Sequence, residues 1–127
     1  MILGVGIDLI EVTRFERALG RRGDALLEML FSPFELGAWQ KDRAPCRSPA
    51  AAFAVKEALF KAIGTGWAGG VSWHDVEVTN PCGRTSVRLS GEAGRVAAGL
   101  GVTRVHVSTA AGRRLAAAAV VLEGDQD

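Results

Sequence analysis

A helical stretch near the middle of the chain places opposite charges among apolar residues. In "AAFAVKEALFKAIGTG", residues 51–66, Glu57 and Lys61 lie four positions apart, so a helix brings both side chains onto one face. The pair could be a solvated ion pair, which contributes only about 0.3–0.5 kcal/mol. Apolar residues occupy most of the helix circumference, however, and the narrow polar stripe that they leave equally fits a functional carboxylate.

A second carboxylate stands in the apolar segment at the start of the chain. "ILGVGIDLIEV" is rich in β-branched residues and predicts a strand from which Asp8 projects, on the same face as Gly6 and Ile10. A single charge of this kind is common on edge strands. Asp8 and Glu57 alone would repel each other, but together they supply hard oxygen ligands for Mg²⁺, which also takes oxygens from water and phosphates. With Lys61, the two carboxylates would form a phosphate site.

The glycines after this helix formally match a dinucleotide-binding pattern. "GTGWAG", residues 64–69, has the spacing G-x-G-x-x-G. That motif follows a strand and opens a helix, whereas Gly64 closes a helix here, which favours a helix C-cap. No Gly-Lys-Ser/Thr sequence follows to indicate a Walker loop.

Composition limits the classes of protein that the chain can represent. Its 127 residues, 48% of them hydrophobic, predict one compact domain over residues 1–127. Fifteen Lys and Arg against fourteen Asp and Glu give a net charge of +1, so we expect neither a nucleic acid nor a membrane as partner. The amino-terminal segment carries Asp8 and Glu11 and is too short to span a membrane. Cys46 and Cys82 lack zinc-site spacing, and a cytoplasmic location is expected.

The order of the predicted elements indicates an α+β domain. The first strand is followed by three helices, whose start signals are Thr13, Ser32 with Glu35, and Ser48 with Pro49. The third helix is predicted over 50–63, and a hairpin, a short helix and two closing strands complete the chain. This pattern predicts helices packed on an antiparallel sheet. The acidic end of the chain, residues 122–127, is expected to be frayed.

Three blocks of the sequence resemble one known family. "GVGIDLIEVTRFERAL", "FSPFE" and "FAVKEALFKAIGTG" are similar, in order and spacing, to the motifs of the holo-acyl-carrier-protein synthases, the short type of 4′-phosphopantetheinyl transferase. The resemblance covers nearly the whole chain. It implies the 4′-phosphopantetheinyl transferase fold. It also implies an enzyme that transfers the phosphopantetheine arm of coenzyme A to a serine of an acyl carrier protein and releases adenosine 3′,5′-bisphosphate.

The resemblance also implies roles for individual residues. Asp8 in "GID" and Glu57 in "KEA" match the family's magnesium ligands, and Lys61 matches the lysine that reaches the coenzyme A phosphates. Asp8, Glu57 and Lys61 are therefore the implied catalytic residues, and either Glu57 or a metal-bound water could accept the serine proton. Lys56 is expected beside the same pocket. The loop that packs against the nucleotide part of coenzyme A matches Gly64, Thr65 and Gly66.

Three arginines share one face of the first predicted helix. Arg14, Arg17 and Arg21 have the spacing i, i+3 and i+7. Such a face is often merely solvated. Members of the family present basic residues from this helix to acidic acyl carrier proteins, so the resemblance implies that these arginines bind the carrier. Family members are commonly homotrimers with active sites between subunits, and the same assembly is implied here.

One position departs from the family pattern. The family usually carries a histidine three residues after the serine of "HVS", and Ala111 occupies that position after Ser108. His106 is interpreted as a structural histidine and His74 as a loop residue near the hairpin. The departure supports a second hypothesis, a non-catalytic relative that binds a carrier protein or coenzyme A. A purely structural α+β module is the third, and it leaves the charged stripe unexplained.

Overall fold

The computed structural model describes residues 1–41, 48–66, 69–80 and 84–125. Cys46 and Cys82 lie outside these ranges, so the predictions about the cysteines stay predictions. The helices are α1 (Val12–Arg22), α2 (Asp24–Leu30), α3 (Pro33–Lys41), α4 (Pro49–Ala62) and α5 (Gly91–Leu100). The strands are β1 (Ile2–Glu11), β2 (Val76–Thr79), β3 (Ser86–Leu89), β4 (Val102–Ala111) and β5 (Leu115–Gly124). Among the described helices, none has the length and apolar character needed to cross a membrane.

The strands form two antiparallel sheets. The larger sheet has the order β1-β5-β4, with Asp8 opposite Ala118 and Ser108 opposite Ala119. The smaller sheet is the hairpin of β2 and β3. Helix α4 packs across β1 and β5 and supplies much of the core. The predicted α+β class, with helices on an antiparallel sheet, is confirmed.

Two glycines of β1 allow α4 to touch the strand backbone. A Cβ atom on Gly6 would lie 1.8 Å from the carbonyl oxygen of Ala58, and one on Gly4 would lie 2.2 Å from that of Ala62. Distances this short exclude any side chain, so helix and strand approach each other more closely than any other residue type would permit. This contact fixes the level at which α4 crosses β1, and therefore which α4 side chains meet Asp8.

The alternation predicted for β1 is correct, but the apolar face is not the buried one. Val5, Ile7 and Leu9 are 55%, 65% and 61% exposed, whereas Gly6 is buried and Asp8 is only 8% exposed. The close approach of α4 requires the face with small residues, so that face turns inward. The expectation that Asp8 projects outward is therefore wrong.

Local capping signals located two of the three predicted helix starts. The backbone N–H of Glu35 donates to Ser32 Oγ at 3.2 Å, and the Ser32 N–H donates to Glu35 Oε1 at 3.0 Å, so the predicted capping box is confirmed. Ser48 Oγ accepts the Ala51 N–H at 3.0 Å. The prediction for Thr13 is wrong. The N-cap of α1 is Glu11, two residues earlier, so the helix begins directly after β1, where the Val12 N–H donates to the carbonyl of Arg114 at 2.8 Å.

Two further segments differ from expectation. Helix α2 was not predicted, although Asp24 in its first turn and the buried Leu26 and Leu30 are compatible with a helix. Strand β5 continues through Gly124, so residues 122–124 belong to the sheet and not to a frayed tail. The reason is that Leu122 is fully buried and the Gly124 N–H donates to the Met1 carbonyl at 2.8 Å.

Candidate active site

Asp8, Glu57 and Lys61 come together where α4 crosses the free edge of β1. Lys61 Nζ donates to Asp8 Oδ1 at 2.8 Å and to the carbonyl oxygen of Ile7 at 3.1 Å. The Asp8 side chain is 9% exposed and that of Lys61 is 53% exposed, so the pair lies at the boundary between core and solvent. Lys61 thus pairs with Asp8 across the fold, not with Glu57 along the helix, and a simple helical ion pair does not describe these charges.

The carboxylates and the lysine change one another's proton affinity. Burial of the half-buried Glu57, and then the neighbouring Asp8 carboxylate, raise the pKa of Glu57, while Lys61 opposes this rise. The hydrogen bond from Lys61 to Asp8 raises the pKa of Lys61. Lys61 therefore stays cationic at neutral pH, and Glu57 keeps its proton to a higher pH than an exposed glutamate does.

The two carboxylates fit a hard divalent cation. Asp8 Oδ2 is buried and, while Glu57 is ionised, lacks a hydrogen-bond donor among the described residues, so one oxygen of this side chain remains available next to Glu57. No cluster of three His, Cys, Asp or Glu side chains suited to a metal ion occurs in the described ranges. A Mg²⁺ ion held by Asp8 and Glu57 would therefore take its other ligands from water and substrate phosphates, as this ion commonly does.

A small cavity opens beside these charged groups. It has a volume of about 200 Å³ and is lined by Glu57, Phe60, Lys61, Gly66 and Trp73. The glycine turn that follows α4 closes one side of it. The Gly64 N–H donates to the Lys61 carbonyl at 3.1 Å, with Gly64 at a φ of 83°, and the Gly66 N–H donates to the Phe60 carbonyl at 3.1 Å. The C-cap interpretation is thus confirmed, and Thr65 lies in the turn between the two glycines.

Lys56 is not part of this group. Its side chain is fully buried, and Nζ donates to Glu35 Oε1 at 2.8 Å, to the Trp73 carbonyl at 2.9 Å and to the Val76 carbonyl. Burial lowers the pKa of Lys56, and Glu35 opposes this shift. The expectation of Lys56 beside the phosphate pocket is wrong for this arrangement, because the helix turns it toward α3 and β2. Trp73, which lines the cavity, was not predicted from the sequence, since no local pattern links it to α4.

The arginine face and the histidines lie outside the cavity. Arg14, Arg17 and Arg21 are exposed on α1. His106 Nε2 lies 2.9 Å from Glu123 Oε1 on the larger sheet, so it has a structural partner as expected. His74 Nε2 donates to the Glu28 carbonyl at 2.7 Å from a short 3-10 turn that precedes β2.

Comparison with known proteins finds the same family over nearly the entire chain. Residues 4–119 match the model of the 4′-phosphopantetheinyl transferase superfamily. A holo-[acyl-carrier-protein] synthase of Koribacter versatilis is 45% identical, over 97% of this chain and 99% of that protein.

Solved structures agree with this result. The crystal structure of holo-[acyl-carrier-protein] synthase from Neisseria meningitidis superposes with a TM-score of 0.83 at 30% identity, covering 97% of this chain and 99% of that one. A synthase from Bacillus anthracis in complex with CoA (3′,5′-ADP) has a TM-score of 0.74 at 32% identity, covering 98% of this chain and 99% of that one. With the family model spanning most of the sequence, the chain belongs to the 4′-phosphopantetheinyl transferase superfamily.

Proposed function

We propose that this chain is a holo-acyl-carrier-protein synthase. It transfers the 4′-phosphopantetheine group of coenzyme A to a serine hydroxyl of an apo acyl carrier protein and releases adenosine 3′,5′-bisphosphate. The observation that carries the proposal is the convergence of Asp8, Glu57 and Lys61 beside one cavity. The relatives described above are holo-[acyl-carrier-protein] synthases, which supports the same activity for this chain.

The residues of the site have two kinds of role, stabilisation of charge and positioning of the substrates. Asp8 and Glu57 would hold Mg²⁺, which when bound supplies positive charge against the coenzyme A pyrophosphate. Lys61 is a cation on an exposed side chain, and it stabilises the negative charge that grows on the leaving bisphosphate. The turn of Gly64, Thr65 and Gly66 packs against the nucleotide part of coenzyme A. The carrier serine attacks the β-phosphorus in line with the departing oxygen, and its proton leaves toward Glu57 or a nearby water.

The carrier protein is proposed to dock on α1. Arg14, Arg17 and Arg21 present three positive charges to an acidic surface, and α1 follows directly after the strand that carries Asp8. A groove of about 350 Å³ lies beside Arg14, and its lining includes Phe15, Ala18 and Phe53. Such a groove suits apolar side chains of a helical partner, so charge and shape support the same docking position.

The active form is proposed to be a cytoplasmic homotrimer with active sites between subunits. The outer face of the larger sheet supports the association, because Val5, Ile7 and Leu9 are more than half exposed in the single chain. Monomeric proteins seldom expose such a contiguous apolar surface. The proposed acceptor is a carrier protein of fatty acid or polyketide synthesis.

A direct assay tests the activity. Purified protein, coenzyme A, Mg²⁺ and a panel of apo carrier proteins should give a carrier whose mass rises by one phosphopantetheine group. The Glu57→Ala variant should lose this transfer. If no carrier gains mass with the unaltered protein, the proposed activity is wrong.

A second candidate is a non-catalytic relative that binds a carrier protein or coenzyme A. It is favoured by Ala111, which ends β4 and offers no polar side chain where the family usually has histidine. The same assay separates the two candidates. A non-catalytic binder keeps its affinity for the carrier but produces no mass gain, with or without Glu57.

A further inference from the structure

Lys56 is a buried charge that the proposed reaction does not use. All three N–H donors of its ammonium group are occupied, by Glu35 Oε1, the Trp73 carbonyl and the Val76 carbonyl. Its side chain and that of Glu35 are both 0% exposed. Neither group therefore meets solvent or substrate in this arrangement.

Stability alone does not explain such a pair. Removing two charges from water costs several kcal/mol each, and apolar residues of similar volume often stabilise a core equally well. A buried ion pair with all its hydrogen bonds made instead fixes one geometry, because each hydrogen bond is formed only over a narrow range of donor and acceptor positions. The question is then which geometry Lys56 fixes.

The contacts of Lys56 lead to the wall of the cavity. Its Nζ holds the Trp73 carbonyl at 2.9 Å, and the Trp73 ring packs on Phe60 with a centroid distance of 5.3 Å. Trp73 and Phe60 both line the cavity together with Glu57 and Lys61. Glu57 itself is the next residue after Lys56, on the same helix. Lys56 thus couples the helix that carries the charged groups to the aromatic wall that faces them.

Glu35 completes the arrangement from the other side. Its Oε1 accepts Lys56 Nζ and the Ser32 N–H, and its Oε2 accepts the Val78 N–H at 3.0 Å. The start of α3, the middle of α4 and β2 are therefore joined through a single carboxylate.

We propose that Lys56 is a positioning residue, which holds Trp73 against α4 so that the cavity keeps the shape that coenzyme A requires. Lys56 acts through Trp73 and does not touch the substrate. This inference rests on the proposed function, in which the cavity receives coenzyme A.

The test compares two variants that differ only at Lys56. Glu35→Gln removes the ion pair, and its one amide oxygen can keep the Ser32 N–H of the capping box but then gives up the Val78 N–H, a loss that both variants share. Lys56 retains N–H donors for the Trp73 and Val76 carbonyls even as a neutral amine. Adding Lys56→Met to Glu35→Gln leaves no unpaired charge at this position, so the double variant is expected to fold, and it removes the hydrogen bond from Lys56 to the Trp73 carbonyl. Unfolding curves establish the temperature at which both variants are native.

Two readouts are measured at that temperature. Calorimetric titration of coenzyme A in the presence of Mg²⁺ should give a dissociation constant within about twofold of wild type for Glu35→Gln, and about tenfold weaker for the double variant. The kcat at saturating coenzyme A should change by less than about twofold in the double variant, because the charged groups are intact. Fluorine NMR of protein labelled with 5-fluorotryptophan reports the environments of the three tryptophans without ligand. The Trp73 resonance, identified by its loss in Trp73→Phe, should move only in the double variant.

The outcomes are distinguishable. Equal coenzyme A affinity in the two variants, or an unmoved Trp73 resonance in the double variant, overturns the positioning role. A wild-type protein that neither binds coenzyme A nor modifies a carrier instead contradicts the proposed function, and the Trp73 resonance still decides whether Lys56 positions this side chain.

Discussion

Asp8 uses its two carboxylate oxygens differently. Oδ1 accepts the Lys61 ammonium, and Oδ2 is buried without a hydrogen-bond partner among the residues described. A buried acceptor left unsatisfied costs about 1–3 kcal/mol. The native fold thus tolerates a local defect beside Glu57, and a cation bound there would relieve it.

Magnesium should therefore stabilise the folded protein, even without coenzyme A. At a Mg²⁺ concentration ten times its dissociation constant, linkage predicts about 1.4 kcal/mol of added stability and a rise in Tm of several degrees. Asp8→Asn should abolish the rise, whereas Asp24→Asn, at an exposed carboxylate on α2, should retain it. Thermal unfolding followed by circular dichroism measures both. An equal Mg²⁺ response in wild type and Asp8→Asn would contradict Asp8 as a ligand.

Glu57 makes stability depend on pH in a defined direction. Its pKa is raised in the folded state, so the folded protein binds this proton more tightly than the unfolded chain does. The resulting stabilisation is fully present below the ordinary glutamate pKa of about 4.3 and is lost as the pH rises through the folded-state pKa.

Glu57→Gln should consequently be more stable than wild type at pH 8 without Mg²⁺. The two proteins should converge in acid, where Glu57 is protonated in both states. Urea unfolding across this pH range measures the difference, and Glu16→Gln, at an exposed glutamate on α1, serves as the control with little change. If wild type is more stable than Glu57→Gln at pH 8 in EDTA, the fold favours the ionised form of Glu57, and the raised pKa is contradicted.

At the scale of elements, the close packing of helix α4 on strand β1 depends on glycine. Gly6→Ala would place a methyl group 1.8 Å from the Ala58 carbonyl oxygen, which belongs to the packed backbone of α4. The helix must move away, at a cost of about 2–4 kcal/mol, and the contact between Lys61 and Asp8 should break with it. The free energy of unfolding, measured with denaturant, and the transfer activity should therefore fall together.

Gly20→Ala is the matched control for this substitution. Gly20 lies within α1, and a Cβ there meets nothing within 4 Å. Alanine is the better helix former by about 0.5–1 kcal/mol, so this variant should be as stable as wild type or more stable. Similar losses in both variants would mean that the close approach at Gly6 is not what limits the fold.

The elements also separate what sequence reasoning could predict from what it could not. Ser32 with Glu35 and Ser48 with Pro49 act within four residues, so their helix starts were readable locally. The orientation of β1 was not readable, because it depends on how α4 packs against Gly4 and Gly6. The Lys56–Glu35 pair joins residues 21 positions apart, and nothing in either segment alone identifies the other as its partner.

The same distinction applies to the candidate site. Asp8, Glu57 and Lys61 were found because their residue types match a chemistry and a family motif. Trp73 was missed because its role depends on a hydrogen bond to its backbone carbonyl and on packing of its ring, and no sequence pattern predicts either.

The charge of α1 should govern the encounter with the carrier. Substituting Arg17 and Arg21 together by glutamine should raise the KM for an acidic carrier protein about tenfold, with little change in coenzyme A affinity, because these side chains face solvent and do not line the cavity. Arg95→Gln, at an exposed position on α5, provides the control. Steady-state kinetics at low salt give the most sensitive comparison, since screening weakens the attraction. An unchanged KM for the carrier protein would show that this face of α1 does not bind the carrier.

At the scale of the whole molecule, one apolar surface is left uncovered by the residues that the structure describes. In the larger sheet, Val5 lies opposite Val121, Ile7 opposite Ala119 and Leu9 opposite Ala117, so the part of the outer face formed by β1 and β5 is a row of aliphatic side chains. Its burial would contribute roughly 25 cal/mol for each Å² removed from water. A second and third copy of the chain would supply such cover, as the proposed trimer requires.

Placing a charge in this face should separate the subunits. Ile7 is 65% exposed in the single chain, so Ile7→Lys should leave the monomer fold intact while it opposes burial of the sheet face. Light scattering coupled to size exclusion should give three times the chain mass for wild type and one chain mass for Ile7→Lys. Leu100→Lys, at a 44% exposed leucine ending α5, should remain associated. Because the active sites are proposed to lie between subunits, Ile7→Lys should also lose transfer, and a fully active monomer would show that each chain holds a complete site.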